Sequence, residues 1–130
     1  MTTPTEAGAD RTVVEFPSTD GFRGVGRLVL GGVAARFELP LDRVDDLLLA
    51  VDSVLLQGPV GDRVRVEADV SPTGLVVRLS PFRPGRLEDP ALVRVLARLV
   101  DAVDEHADGD ASSIELAVSA SYPGGGTWQP

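Results

Sequence analysis

Hydrophobic residues recur along this chain with a period of two in some stretches and with a helical period in others. Each change from one period to the other predicts the start of a new strand or helix. Strict alternation over 63–70 and a return run over 75–79 predict a β-hairpin across a turn at 71–74. Runs rich in β-branched residues over 11–16 and 113–120 predict a first and a last strand.

Helical periodicity occupies three further stretches. The first predicted helix has its cap within 18–20 and runs to about Phe37, before Pro40. The second covers 41–57 and the third covers 91–105, each with one apolar face. For the third helix the pattern predicts two sets of positions: inward Leu92, Val95, Leu96, Leu99 and Val103, and outward Arg94, Arg98 and Asp101.

These elements predict one domain over 11–121 between two tails. Residues 1–10 are polar and 122–130 are rich in glycine and proline, so we predict a disordered first tail and a flexible second tail. A proline-rich loop over 81–90 and an acidic loop over 106–112 are also predicted. The order strand, two helices, hairpin, helix, strand indicates an α+β domain.

Composition limits the function classes. With 130 residues, 43% of them hydrophobic, the chain can bury one core. No apolar run is long enough for a bilayer and no signal pattern opens the sequence, so a cytoplasmic protein without membrane contact is expected. There is no cysteine and only one histidine, which argues against a disulfide framework and against zinc or thiolate chemistry.

The charge balance argues against a nucleic-acid surface, which needs clustered positive charge, because the net charge is -8. All twelve basic residues are arginine and the chain has neither lysine nor asparagine, a bias typical of a GC-rich actinobacterial genome. The same bias removes any Walker-type phosphate lysine and any asparagine metal ligand.

The stretch 27–57, RLVLGGVAARFELPLDRVDDLLLAVDSVLLQ, resembles the first two helices of the RsbW-type anti-sigma factor kinases. These are small bacterial members of the Bergerat-fold ATPase class, which includes gyrase and histidine kinases. The resemblance implies a Bergerat-type two-layer sandwich, with the helices on one face of a mixed, mainly antiparallel sheet.

The chain departs from this family where the family binds its nucleotide. There the second helix ends in a pattern like A-V-x-E-x-x-x-N, whose glutamate activates the attacking group and whose asparagine binds Mg²⁺. Here Ala-Val-Asp over 50–52 is followed by Ser53, and Gln57 comes four residues later. A serine without a partner base is not a general base near neutral pH, and the longer amide arm displaces the ligand oxygen that Mg²⁺ needs.

Two further nucleotide motifs are missing. The family's adenine-reading D-x-G-x-G falls on 80–85, where no aspartate is present, Pro81 stiffens the loop and Gly85 alone remains of the glycines. Its glycine-rich lid, G-x-G-L, is replaced by Glu-Asp-Pro-Ala-Leu over 88–92. The resemblance therefore implies a degenerate ATP site, marked by Ser53, Gln57, Pro81 and Gly85, with no catalytic residue, cofactor or metal.

The first helix carries the predicted partner surface. Arg27 falls on the arginine that the family's anti-sigma factors use to contact a sigma factor and the anti-anti-sigma antagonist. Arg23, Gly24 and Gly31 share its side of the helix, where glycines permit close approach and arginines bind acidic side chains. The alternative is that the glycines pack on the protein's own neighbouring helix and that the arginines are solvated.

Leu49 and Leu56 fall opposite the apolar face of the second helix, with Asp45, Asp52 and Ser53. Either they fill the former nucleotide pocket or they are exposed and covered by another protein. We expect filling, because an empty pocket would cost stability.

Two functions follow. The expected one is a non-catalytic regulator that binds a sigma factor, an anti-anti-sigma protein or a second copy of itself. The alternative is an active ATP-dependent serine kinase in which Asp52 or Asp46 replaces the lost carboxylate. The first is favoured because the sequence supplies neither an adenine reader nor a phosphate cradle.

Overall fold

The computed structural model describes residues 10–37 and 39–119, without the side chains of Asp20 and Arg23. Both predicted tails lie outside these residues, except Asp10, which opens the first strand. The elements, in chain order, are β1 Asp10–Pro17, α1 Arg23–Arg36, α2 Leu41–Leu55, β2 Arg63–Ser71, β3 Gly74–Phe82, α3 Pro90–Leu99, β4 Ala102–Asp108 and β5 Ala111–Ser119. Short 3-10 turns at Asp20–Phe22 and Arg86–Glu88 precede α1 and α3.

The five strands form one sheet in the order β1-β2-β3-β5-β4, and every pairing is antiparallel. The prediction of a mixed sheet was therefore wrong for the described residues. Two of the pairings, β2–β3 and β4–β5, are hairpins, and a short connection always joins antiparallel neighbours.

One face of this sheet is apolar and carries all three helices. Its buried positions come from the three central strands: Val64, Val66, Ala68, Leu75, Val77, Leu79, Ile114, Leu116 and Val118. Buried residues of every helix belong to the same core: Leu30, Val33 and Ala34 of α1, Leu47, Ala50, Val51 and Val54 of α2, and Leu92 and Leu96 of α3. The chain is thus an α+β two-layer sandwich with helices on one face, as the sequence predicted. Among the described residues, no helix combines the length and the apolar character needed to cross a membrane.

The opposite face of the sheet is charged. Glu67, Arg78 and Glu115 stand opposite one another on β2, β3 and β5. Arg78 bridges the two carboxylates, with nitrogen–oxygen distances of 3.7 Å to Glu67 and 2.5 Å to Glu115. Such opposite-charge pairs across strands stabilise a solvated face without a helix above it.

The third helix is shorter than predicted. It ends at Leu99, and the predicted helical end and acidic loop over 100–112 contain β4 and its turn to β5. Val100 is extended and Asp101 N–H donates to the Ala117 carbonyl at 2.9 Å, which starts the new strand. Gly109, with a φ of 64°, makes the two-residue turn possible.

The inward set of α3 is correspondingly smaller. Leu92 and Leu96 are buried and Leu99 is partly buried, but Val95 is 46% exposed. Val103 packs on the core from β4 instead of from a helix.

Two other boundaries differ. β3 continues through Pro81 to Phe82, so the predicted loop starts later. The register shifts between Leu79 and Phe82, and a proline is tolerated at such an irregularity because no regular ladder hydrogen bond is required there. The predicted cap of α1 is also absent, since Phe22 holds that position without a side-chain hydrogen bond.

An ion pair between a buried arginine and a more exposed aspartate joins the helices to the sheet. Arg43 of α2 donates to Asp101 Oδ2 at 2.8 Å, and the Arg43 side chain is only 10% exposed. The same carboxylate oxygen accepts the Ser119 N–H at 2.6 Å. Asp101, predicted as an outward residue of α3, therefore lies between α2, α3 and β5.

We expect Asp101→Ala to lower the free energy of unfolding by about 3 kcal/mol, because it leaves the Arg43 guanidinium buried without its counter-charge. Urea unfolding followed by circular dichroism measures the change. Asp104→Ala, at an exposed position of β4, is the control and should change stability by less than about 0.5 kcal/mol. Equal losses in the two variants would contradict this role of Asp101.

Candidate functional site

The outer side of α1 presents a stripe of small residues with one leucine, formed by Gly24, Leu28, Gly31 and Ala35. A β-carbon built on Gly24 or Gly31 would meet no described atom within 4 Å. Leu28, in the middle of this α1 stripe, is 80% exposed. Gly26 differs, because its β-carbon would lie 3.3 Å from the Phe16 ring, so that glycine serves the protein's own packing.

Arg27 lies at the edge of the α1 stripe and reaches α2. Its guanidinium donates to Asp52 Oδ2, while 43% of the arginine side chain remains exposed. The ion pair fixes Arg27 at the surface between the two helices. Of the predicted partner-binding set, Gly24, Arg27 and Gly31 thus lie together, and the side chain of Arg23 is outside the described residues.

Ser53 and Gln57 are satisfied by their own chain. Ser53 Oγ donates to the Leu49 carbonyl at 2.9 Å, four residues earlier on α2. Gln57 Nε2 donates to the Ser53 carbonyl at 3.4 Å. Hydrogen bonds within α2 account for the orientation of both side chains, without a ligand.

These two residues line a shallow space of about 290 Å³ between α2 and α3, which we call the α2–α3 cleft. Its other walls are Leu56, Asp89, Ala91, Leu92 and Val95. Leu56 is 64% exposed, and Leu49, two turns earlier on α2, is 52% exposed. The expectation that the two leucines fill a former pocket was therefore wrong: α3 packs through Leu92 and Leu96 and leaves both leucines at the surface.

Pro81 and Gly85 lie apart from the α2–α3 cleft. The Pro81 carbonyl accepts the Val60 N–H at 2.9 Å, and its ring lines a groove on the charged face of the sheet. Gly85 has a φ of 93°, which favours glycine, and opens the turn before α3. The structure therefore brings together only Ser53 and Gln57 of the four predicted nucleotide positions.

A glutamate of β4 fixes the loop between β3 and α3. Glu105 accepts the Gly85 N–H at 2.7 Å and the Leu87 N–H at 3.3 Å. The Gly85 amide is the main cause that lowers the pKa of this carboxyl, partial burial opposes it, and the nearby Arg86 charge adds to the lowering. The sequence placed Glu105 in a helix and gave no sign of this contact.

The groove on the charged sheet face is a second concave surface, with a volume of about 660 Å³. Its cationic side chains already have partners: Arg63 and Arg65 contact Glu15, and Arg65 also contacts Glu67. His106 Nε2 lies 3.5 Å from Glu115 Oε1. An anion would have to displace these carboxylates, so the groove is a weaker candidate site. Within the described ranges, no group of three or more histidine, aspartate or glutamate side chains is placed to hold a metal ion.

No protein-family model matches this chain, and no curated protein matches its sequence. The resemblance to the anti-sigma factor kinases consequently depends on the residues of α1 and α2 alone.

The Glu105 contacts predict a pH-dependent contribution to stability. Because the folded carboxyl has a lowered pKa, its contribution is present above the unfolded value of about 4.5 and is lost as the pH falls through the folded pKa. Glu105→Gln should therefore cost about 1–2 kcal/mol at pH 7 and progressively less in acid. Urea unfolding at a series of pH values measures both the loss of stability at pH 7 and its decrease in acid.

Glu88→Gln, an exposed change on the same loop, is the matched control and should show no such trend. A Glu105→Gln penalty that stays constant from pH 7 to pH 3 would contradict the assignment.

Proposed function

We propose that this protein is a non-catalytic regulator of the anti-sigma factor kind, which binds a sigma factor or an anti-anti-sigma protein through the α1 stripe. The observation that carries the proposal is the open space at Gly24 and Gly31. A glycine inside a helix costs about 1 kcal/mol relative to alanine, so an unused glycine is a net loss. Neither glycine is needed for packing against described residues, and close approach of another protein would account for both.

An exposed apolar side chain also indicates this side of α1 as the partner-binding surface. Leu28 stands between the two glycines at 80% exposure, where a partner helix lying along the stripe would bury it. A helix can approach closely over glycine and alanine, which brings its side chains onto Leu28 and toward Arg27.

Arg27 supplies the polar part of the proposed contact. A guanidinium has five N–H donors, and Asp52 accepts from one of its nitrogens, so donors remain for an acidic side chain of the partner. The ion pair with Asp52 also restrains the arginine, which lowers the entropy that binding would cost.

The alternative, an active serine kinase with unconventional ligands, finds less support. Asp52, one of its candidate carboxylates, is occupied by Arg27. Asp46 lies six residues earlier on α2, about 9 Å along the axis and on a different face. Ser53 and Gln57 bond to backbone carbonyls of their own chain, and Glu105 holds the loop that would cover a nucleotide.

The partner surface is tested with Gly31→Leu. We expect the free energy of unfolding to rise by up to about 1 kcal/mol, because leucine is the better helix former and meets open space. Binding should weaken at least about tenfold, or about 1.4 kcal/mol, because the added side chain blocks close approach. The partner is captured from a lysate of the source organism, identified, purified and titrated by calorimetry.

Ala97→Leu adds the same bulk at an exposed position of α3 and is the matched control for binding. Undiminished affinity in Gly31→Leu would reject the α1 stripe. A captured protein that is neither a sigma factor nor an anti-anti-sigma protein would reject the proposed partner class.

The catalytic alternative is tested with nucleotide. Calorimetric titration of the natural chain with ATP and Mg²⁺ should give no binding in the micromolar range, because Ser53 supplies no carboxylate and the longer arm of Gln57 displaces the amide oxygen that Mg²⁺ needs. Micromolar affinity, or transfer of phosphate to a serine of the captured partner, would establish the kinase instead.

A further inference from the structure

The α2–α3 cleft is apolar at its centre and polar at its rim, and it is exposed in the described part of the chain. Leu56 and Val95, one from each helix, are 64% and 46% exposed across it. The Gln57 side-chain amide and the Asp89 carboxylate stand at its edge. Asp89 uses one carboxylate oxygen to accept the Ala91 N–H at the start of α3, which leaves the other oxygen available. The cleft therefore suits one large side chain with an apolar body and a polar hydrogen.

A segment with that chemistry lies in the same chain. The only tyrosine and the only tryptophan, Tyr122 and Trp128, follow β5 and lie outside the described residues. The segment 120–130 has no charged side chain, although the whole chain has a net charge of -8. None of its side chains carries a charge that the Asp89 carboxylate would repel. An indole offers a broad apolar ring and a single N–H donor, which match the centre and the rim of the cleft.

The chain length permits the contact. Ser119, the last residue of β5, is held beside Asp101 and Arg43, at the end of α3 and the start of α2. From Arg43 to Leu56 is thirteen residues of α2, or about 20 Å. Trp128 is nine residues beyond Ser119, which span up to about 30 Å when extended. The difference is enough to pass around the helix to its outer side.

We propose that the α2–α3 cleft binds the chain's own segment 120–130, with Trp128 against Leu56 and Val95. A partner helix is a poorer occupant, because helix recognition needs several anchors along a groove and this cleft of about 290 Å³ has room for one large side chain. The proposal is independent of the α1 stripe. It gives the surface around Ser53 and Gln57 an internal ligand, which any molecule that uses this surface must displace.

The test uses the full chain and the fluorescence of its single tryptophan. We expect an emission maximum shifted to shorter wavelength than in the urea-unfolded chain, and quenching by acrylamide reduced several-fold. Leu56→Asp should abolish both effects, because it places a charge where the ring would lie. Val93→Asp, an exposed position on α3 outside the cleft lining, is the matched control and should retain both.

Circular dichroism confirms that the variants fold, and Val95→Asp replaces Leu56→Asp should that variant not fold. An emission like that of the unfolded chain would overturn the proposal and favour a partner protein in the cleft. A blue shift retained in Leu56→Asp and Val95→Asp would place Trp128 elsewhere and overturn it equally. A blue shift lost on dilution would show binding to a second copy, which also contradicts an intramolecular contact.

Discussion

The Asp101 carboxylate connects the two layers of this protein, and the other elements are arranged around it. One of its oxygens accepts both from Arg43 of α2 and from the Ser119 backbone of β5. Its own N–H donates to Ala117, where the chain leaves α3 and enters β4. A charge pair that is mostly withdrawn from water contributes little net energy, but it is costly when only one partner remains. This pair therefore specifies the position of the helices on the sheet more than it adds to the total stability.

The two faces of the sheet and the outer side of the helices differ in their chemistry. The inner sheet face carries the buried apolar side chains of the central strands and is covered by helices. The outer sheet face is a lattice of alternating charges, in which Arg78 serves carboxylates on both neighbouring strands. The helical layer is different, because its outer side leaves leucine, valine and glycine in contact with solvent. The charges of the outer sheet face are paired with one another, whereas apolar side chains of the helical layer remain exposed. The helical layer is therefore the better candidate for binding another protein.

The spacing of hydrophobic residues was sufficient to predict most of the helices and strands. It predicted β1, α1, α2 and the β2–β3 hairpin because each has one buried face and a clear stop, such as Pro40 after α1. It was wrong over 100–112, where alternating small and charged residues follow an amphipathic helix without a break. The dipeptide Gly109-Asp110, which forms the two-residue turn, was the signal that could have shown the last hairpin.

The site was less predictable than the fold. That Gly24 and Gly31 face outward follows from helical spacing, but that no described residue covers them depends on how α2 packs. The exposure of Leu49 and Leu56 depends likewise on where α3 crosses α2. Glu105 binds amides eighteen and twenty residues away in sequence, and a period of two or four residues contains no information about such contacts.

The outer edge of β4, with which no described strand pairs, has a consequence for how this protein behaves in a crowded solution. An unpaired edge strand invites another chain to add to the sheet through its backbone. Three of the seven residues of β4 are acidic, namely Asp104, Glu105 and Asp108. A second copy aligned on this edge would bring its own three carboxylates to strand spacing, about 5 Å away, where like charges oppose pairing. Within the described residues, the sheet therefore ends at a strand whose acidic side chains oppose pairing with a second copy.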